Sequence, residues 1–375
     1  MTVASFWLLS ALALGLQSAT LAATPPSLKA SLKSLRSVGP EGLGNELAKS
    51  AWRRVASVEA RSLPLVLESM DGANDYALNW LRSAVDAIAQ RETLSGRPLP
   101  VEALHRFLRD RNHHPRARRL AFELIRSVQP EMARSLLPEF LDDPAPELRR
   151  DAVQQKCDAA EAKVVLDKSI AVVEYRKALA FAREADQLDS IAKKLKELGS
   201  PVNLSRTFGW VTAWKLIGPF DNTTGVGFTR PYPPETSLDL SSEFDGKTGR
   251  IKWAPYETTD DYGMVNFNAP LGTLKGVVGY AAAEFWSKSA RPVQIRLGSQ
   301  NGWKVWVNGK PTFGRDEYHR ASEIDQYRMP VMLVPGRNLI LVKCLQNEQT
   351  EDWAAEWQFQ LRVTDEQGTP LLSSQ

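Results

Sequence analysis

The chain has 375 residues, 43% of them apolar and 24% charged, and a formal net charge of +3. That composition belongs to a globular protein of two or more domains, and it excludes a disordered chain. The charge is too weak to point to nucleic acid or a membrane surface. The chain before Pro201 is mildly basic, with 29 basic and 25 acidic side chains, and the rest is near neutral, with 18 and 19, so neither half forms a strong field.

No charged side chain precedes Lys29. Residues 6–16 (FWLLSALALGL) form an apolar run, and Thr20 and Ala22 supply small residues at −3 and −1 of a cleavage position. This reads as a signal peptide over residues 1–22, which makes the protein exported, periplasmic or extracellular. A retained anchor is the alternative, since residues 3–23 are long enough to span a bilayer. No later segment is. Only two cysteines occur, Cys157 and Cys344, and they are expected to be buried free thiols.

Residues 27–199 read as short helices. Ala117, Leu120, Ala121, Leu124, Ile125 and Val128 recur at helical spacing, one apolar face packed on a neighbour. Pro and Gly punctuate the segment, and a repeat is visible. Pro115-Arg116-Ala117-Arg118-Arg119-Leu120-Ala121 returns 31 residues later as Pro146-Glu147-Leu148-Arg149-Arg150-Asp151-Ala152. Residues 63–85 look like a degenerate earlier copy. The string Asp142-Asp143-Pro144-Ala145-Pro146-Glu147-Leu148-Arg149-Arg150-Asp151-Ala152-Val153 resembles the turn and second helix of a HEAT repeat. There Asp caps the incoming helix and Pro sits in its first turn. The resemblance implies a stack whose concave face takes a protein partner. The basic run Arg106, Arg109, Arg111, Arg116, Arg118 and Arg119 reads as a solvated helical face rather than a polyanion site. His113-His114 reads as turn chemistry, with no further ligands at metal spacing.

From Pro201 the pattern changes. Eight of the 11 tryptophans lie from Trp210 onward, and apolar residues alternate with polar ones. Val293, Ile295 and Leu297 share a face, as do Val305 and Val307 before an Asn308-Gly309 turn. So do Ile340, Val342 and Cys344, and then Phe359, Leu361 and Val363. Short alternating strands with such turns predict an antiparallel β-sandwich over residues 210–366, followed by a tail, 367–375. The strings Arg296-Leu297-Gly298-Ser299-Gln300-Asn301-Gly302-Trp303-Lys304-Val305-Trp306-Val307-Asn308-Gly309-Lys310 and Leu333-Val334-Pro335-Gly336-Arg337-Asn338-Leu339-Ile340-Leu341-Val342-Lys343 resemble the galactose-binding-like jelly roll. The half from Trp214 to Val363 also resembles the C-terminal part of exported bacterial proteins that join HEAT repeats to such a domain, a family of unknown activity. The fold class expected is therefore multidomain, a HEAT-like helical stack followed by a jelly-roll sandwich.

The resemblance implies carbohydrate binding, by analogy only. A sugar site needs an aromatic platform beside amides, carboxylates or Arg. Three loops carry such strings: 300–303, 316–320 and 346–353. The candidate ligand-binding residues are Asn301, Trp306, Tyr318, Arg320, Asn347, Glu348 and Trp353. Trp303 and Trp357 share phase with core positions and are expected inside. Trp306 and Trp353 are the exposed candidates, with packing against the helical half as the alternative for Trp306. No cofactor is expected. A structural calcium is compatible with such sandwiches, but Asp221-Asn222 and Asp260-Asp261 lack calcium-loop spacing.

GxSxG, HExxH, Walker and GxGxxG motifs are absent, which favours a non-enzyme. A glycosidase needs only two carboxylates, so glycoside hydrolysis through Glu284, Glu317 or Glu348 stays as an alternative, beside a protein-interaction adaptor. The leading expectation is an exported, non-catalytic glycan-binding protein whose repeats serve as a scaffold.

Overall fold

A computed structural model describes residues 27–374; the expected signal segment, residues 1–22, lies outside the described residues. Two compact units are present, one ending at Val128 and the other starting at Gln129.

The first unit is helical: α1 (Leu28–Arg36), α2 (Asn45–Ala56), α3 (Leu63–Glu68), α4 (Asp75–Leu94), α5 (Val101–Arg109) and α6 (Pro115–Val128). Ser27 and Asn74 cap α1 and α4 by accepting from the backbone of Ala30 and Ala77, which satisfies otherwise orphaned N–H groups. α1 packs on α2, α2 on α4 and α5 on α6. The apolar face expected on α6 is buried from Ala117 to Ile125, while Val128, its last residue, is exposed. Asp71 closes the His113-His114 turn, accepting from the His114 backbone and meeting His113 Nδ1, both at 2.7 Å.

The basic run differs from a solvated face at two positions, Arg118 and Arg119, the latter half-buried against Glu123. Arg118 is buried, and its Nε donates to the carbonyl of Leu108 at 2.8 Å. Its repeat equivalent in the second unit, Arg149, is buried too and donates to the carbonyl of Asp143 at 2.7 Å. In both copies the first arginine of the pair ties its helix to the segment before it. A long apolar stem with a charged head lets Arg do this from inside a packed face.

The second unit begins with α7 (Pro130–Leu136), α8 (Pro146–Val164), α9 (Lys168–Phe181), α10 (Ala185–Glu197) and α11 (Leu204–Phe208). Before α8, Pro146 opens the helix as expected, but the N-cap is Ala145 with no side-chain cap; Asp143 Oδ1 accepts from the Ala145 backbone at 2.8 Å and so closes the preceding turn instead of capping the helix. Twelve strands follow: β1 (Ala213–Asp221), β2 (Glu243–Asp245), β3 (Arg250–Lys252), β4 (Ala254–Glu257), β5 (Met264–Asn266), β6 (Val277–Ser287), β7 (Arg291–Gly298), β8 (Gly302–Val307), β9 (Lys310–Arg315), β10 (Tyr327–Leu333), β11 (Gly336–Gln346) and β12 (Gln358–Thr364). The chain is thus α then β. The change from helix to strand falls between Phe208 and Ala213, whereas the compact units divide earlier, at Val128.

One large sheet has the order β4-β1-β6-β11-β8-β9 and the other β10-β7-β12-β5, while β2 and β3 pair as a separate ribbon; every pairing is antiparallel. Between them lies a core that includes Trp303, Trp357, Val305, Ile340, Val342, Phe359 and Leu361, as alternation implies. Asn308 and Gly309 both have positive φ, 52° and 73°, as a two-residue primed hairpin turn requires.

The outer faces of both sheets are covered. Over the six-stranded sheet, residues 222–253 cover Ile217, Phe220, Tyr280, Trp306, Leu341 and Leu345. This is why β6 and the end of β11 are apolar on both faces. Trp306 is accordingly buried beneath that cover, neither exposed nor set against the helices. On the four-stranded sheet, Arg296, Gln360 and Arg362 are buried although alternation points them to solvent. Arg362 donates to the carbonyl of Phe208 at 3.0 Å and stacks on the Phe208 and Trp210 rings. Trp210, Tyr262 and Ile324 join the apolar cluster of α8–α11, and Tyr262 donates to Asp189 at 2.6 Å. Residues 367–374 are also tied in: Leu371 bonds to Val363, and Ser374 to Trp286. Both cysteines are free. Cys344 is buried and Cys157 half-buried, and burial pushes the Cys157 thiol up to about 11.

Candidate ligand-binding rim of the sandwich

At one end of the sandwich the β7–β8, β9–β10 and β11–β12 connections meet, and these are the three loops singled out from the sequence. His319 joins them. Held at φ 59°, it donates its backbone N–H to the carbonyl of Gln300 at 2.6 Å. Its Nε2 lies 2.9 Å from Asn347 Oδ1. Its ring stands edge-on to Trp353, with centroids 5.0 Å apart and planes at 87°. A non-glycine residue at positive φ is uncommon, and here it turns the imidazole toward the β11–β12 loop. Asn347 is fixed further by donating to Gln349 Oε1 at 2.8 Å while its own Oδ1 accepts from the Gln349 backbone.

Trp353 is 57% exposed, on a 3₁₀ turn spanning Asp352–Ala354. Glu348 is exposed on the same loop, beside Gly276, where an added Cβ would lie 3.2 Å from its Cγ. Arg320 is exposed and pairs with Glu317 at 3.3 Å. Tyr318 is half-buried against the outer apolar cluster; its hydroxyl accepts from Asn222 Nδ2 at 3.1 Å, and burial pushes its pKa up to about 12. It forms a wall rather than a platform.

Two expected site residues take no part in the surface. Trp306 lies under the cover described above. Asn301 is buried, and its amide donates to Gln346 Oε1 (3.3 Å) and the Glu356 carbonyl (3.0 Å) and accepts from the Gln358 backbone (3.0 Å). With these bonds Asn301 clips the β11–β12 loop to β8 and has little left for a ligand. His319 was missed among the candidates, although its loop was chosen. The available signal was that it is the only histidine of the β half.

Beside the rim, Lys247 Nζ sits among Asp221 Oδ1 (3.0 Å), Thr223 Oγ1 (3.0 Å) and the Gly276 carbonyl (2.6 Å). The Thr223 hydroxyl and Lys247 hold the Asp221 carboxyl down at about 2. An ammonium already fills this oxygen set, so it does not fit calcium. Asp260 is spent on the backbone of Tyr262 and Met264. Among the described residues no group of three or more His, Cys, Asp or Glu is placed to hold a metal. Of the carboxylates considered for hydrolysis, Glu284 pairs with Arg337 at 2.7 Å. It lies seven residues along β6 from the rim, about 20 Å at strand spacing, and cannot face Glu348 across one glycosidic bond.

No protein-family model and no curated protein matches the chain. Among solved structures it is similar to an anti-sigma factor domain-containing protein (12% identity, 38% of this chain and 48% of that one, TM-score 0.25). It is also similar to the PA14 domain of the MpAFP antifreeze protein (10%, 44% and 71%, TM-score 0.21). A third is a family 35 carbohydrate binding module from Clostridium thermocellum (16%, 27% and 85%, TM-score 0.17). The chain spans about half the length of the first of these. Likenesses this shallow carry no argument for function.

Proposed function

We propose that this is an exported, non-catalytic protein whose sandwich binds a glycan at the rim built on His319 and Trp353. The observation that carries the reading is the exposed Trp353 ring, steadied edge-on by His319, which also meets Asn347, on a loop that carries Glu348 and Gln349. An indole face stacks on the apolar face of a pyranose, while amides and a carboxylate grip its hydroxyls. Fixing the ring before binding lowers the entropy lost on association. Arg320 sits on the same loop as His319 and adds a cationic donor.

A glycan array with the full chain tests this. Trp353→Ala is expected to weaken binding at least tenfold, as loss of a central aromatic anchor does. His319→Ala should weaken it less, because the platform remains but loses its support. Retention of full binding by both variants would remove the rim from the account. For export, the mature protein should begin at Ala23 when its N-terminus is sequenced from the periplasmic or extracellular fraction. An intact Met1 there would favour the anchor.

A second reading, docking of a protein partner, has one observation in its favour. At the α8–α9 turn Val165 and Leu166 are 92% and 84% exposed, with Ile170 and Val173 also exposed on α9. Contiguous exposed apolar side chains mark interaction surfaces.

A further inference from the structure

We propose that the opposite end of the sandwich is a second binding site, for an anionic group such as the carboxylate or sulfate of an acidic saccharide. A cavity of about 420 Å³ opens there between α11, the β6–β7 hairpin, the end of β10 and the last residues of the chain. Its size falls in the range of small-ligand pockets. β6 runs from the Trp353 rim to this cavity over 11 residues, so the two ends are about 30 Å apart.

The charged side chains on its wall are all cationic: Arg206, Lys288 and Arg291. No carboxylate lines it among the described residues. Elsewhere in this unit cations beside a pocket are neutralised, Arg150 by Asp186 and Lys194 by Glu161. Here none of the three has a carboxylate partner among the described residues, and Glu284, the acid nearest the hairpin in sequence, is taken by Arg337. Like charges around one concavity repel, and low-dielectric walls strengthen the field they exert on a counter-ion.

The remaining wall fits a body larger than an inorganic ion. Trp286 and Leu372 supply apolar surface, and hydroxyls stand beside them. Ser373 Oγ accepts from the Trp286 backbone at 2.9 Å, which leaves its own proton to donate. Two guanidinium groups and an ammonium provide charge-assisted donors for the oxyanion. This site does not depend on the Trp353 reading, since it shares no residue with that rim.

The test is calorimetric titration of the full chain with an oligogalacturonate, a neutral oligogalactose and inorganic sulfate. The acidic oligosaccharide is expected to bind with an affinity that falls as salt rises. Lys288→Gln and Arg206→Gln, each made in a Trp353→Ala background so that the rim cannot contribute, should weaken it about tenfold, the scale of one lost charged hydrogen bond. Both substituted side chains are exposed, and unchanged thermal unfolding verifies the fold. Sulfate binding as tightly as the oligosaccharide, with the same sensitivity to the two variants, supports the anion site and assigns it to the free ion. Equal binding of the neutral sugar in the Trp353→Ala background, indifference to both substitutions, or no anion binding overturns the proposal.

Discussion

Asp325→Ala is expected to destabilise the second unit by about 3–5 kcal/mol, the cost of removing one partner from a buried charge cluster. Asp325 is buried and holds two buried arginines at once. Arg362 reaches it through Nε (2.7 Å) and a terminal nitrogen (2.6 Å), and Arg296 at 2.5 Å. Without the carboxylate two guanidinium groups share a dry site with no counter-charge. Because Arg362 also bonds to the Phe208 carbonyl, the loss reaches the seam between α11 and the sandwich. A melting temperature about 10 °C lower should result. Replacing all three residues by apolar ones of similar size should recover much of the loss, which the single variant cannot. A melting temperature within a degree or two of the parent would refute this role.

The same cluster fixes a pH dependence. Burial pushes the Asp325 carboxyl up, but the hydrogen bonds and charges of Arg362 and Arg296 outweigh it and hold the carboxyl below the ordinary carboxylate range. Its folded pKa is depressed, so its contribution is present above the unfolded value and is lost as pH falls through the folded one. The parent should therefore lose stability below about pH 4 more steeply than Asp325→Ala does.

Glu235→Gln is the second large effect expected, also about 3–5 kcal/mol. Lys343 is buried on the outer face of β11; its Nζ lies 2.6 Å from Glu235 Oε1 and donates to the Arg230 carbonyl at 2.9 Å. The Tyr280 hydroxyl bonds to the same carboxylate, and the ammonium lies over the Tyr232 and Tyr280 rings. Desolvation lowers the Lys343 pKa, with Glu235 opposing it. Neutralising Glu235 leaves a buried cation facing only a carbonyl and two rings. Since Arg230 and Glu235 both belong to the cover, limited proteolysis should cut residues 222–253 faster in the variant. Equal cleavage rates would show that the cover is held by its apolar contacts alone.

What the sequence made legible follows from periodicity. A face with period 3.6 placed Ala117 to Ile125 inside α6, and alternation placed Trp303 and Trp357 in the core. The turn chemistry of Asn308-Gly309 set a hairpin. Alternation assigns a side chain to a face, however, and does not say what covers that face. Trp306 therefore reads as exposed, and Lys343 gives no sign of burial, since their cover comes from residues 222–253, far away in the chain. Arg296 and Arg362 look like solvent-facing positions until Asp325, in the β9–β10 loop at a φ of 61°, is brought over them.

The candidate rim shows the same division. Its three loops were recognisable as polar-aromatic strings, and the structure brings them together. The joint between them, His319, depends on one residue at positive φ and on contacts with residues 300, 347 and 353, none of which local pattern encodes. Asn301 erred the other way: an amide in a rich loop can as easily be consumed by the fold as offered to a ligand.

The most direct test of the glycan reading is a hydrogen-exchange footprint of the full chain with the best glycan from the array. Added protection is predicted in peptides covering residues 316–320 and 347–353, and it should vanish in Trp353→Ala. Protection confined to other segments, or none at a saturating glycan concentration, would contradict the account.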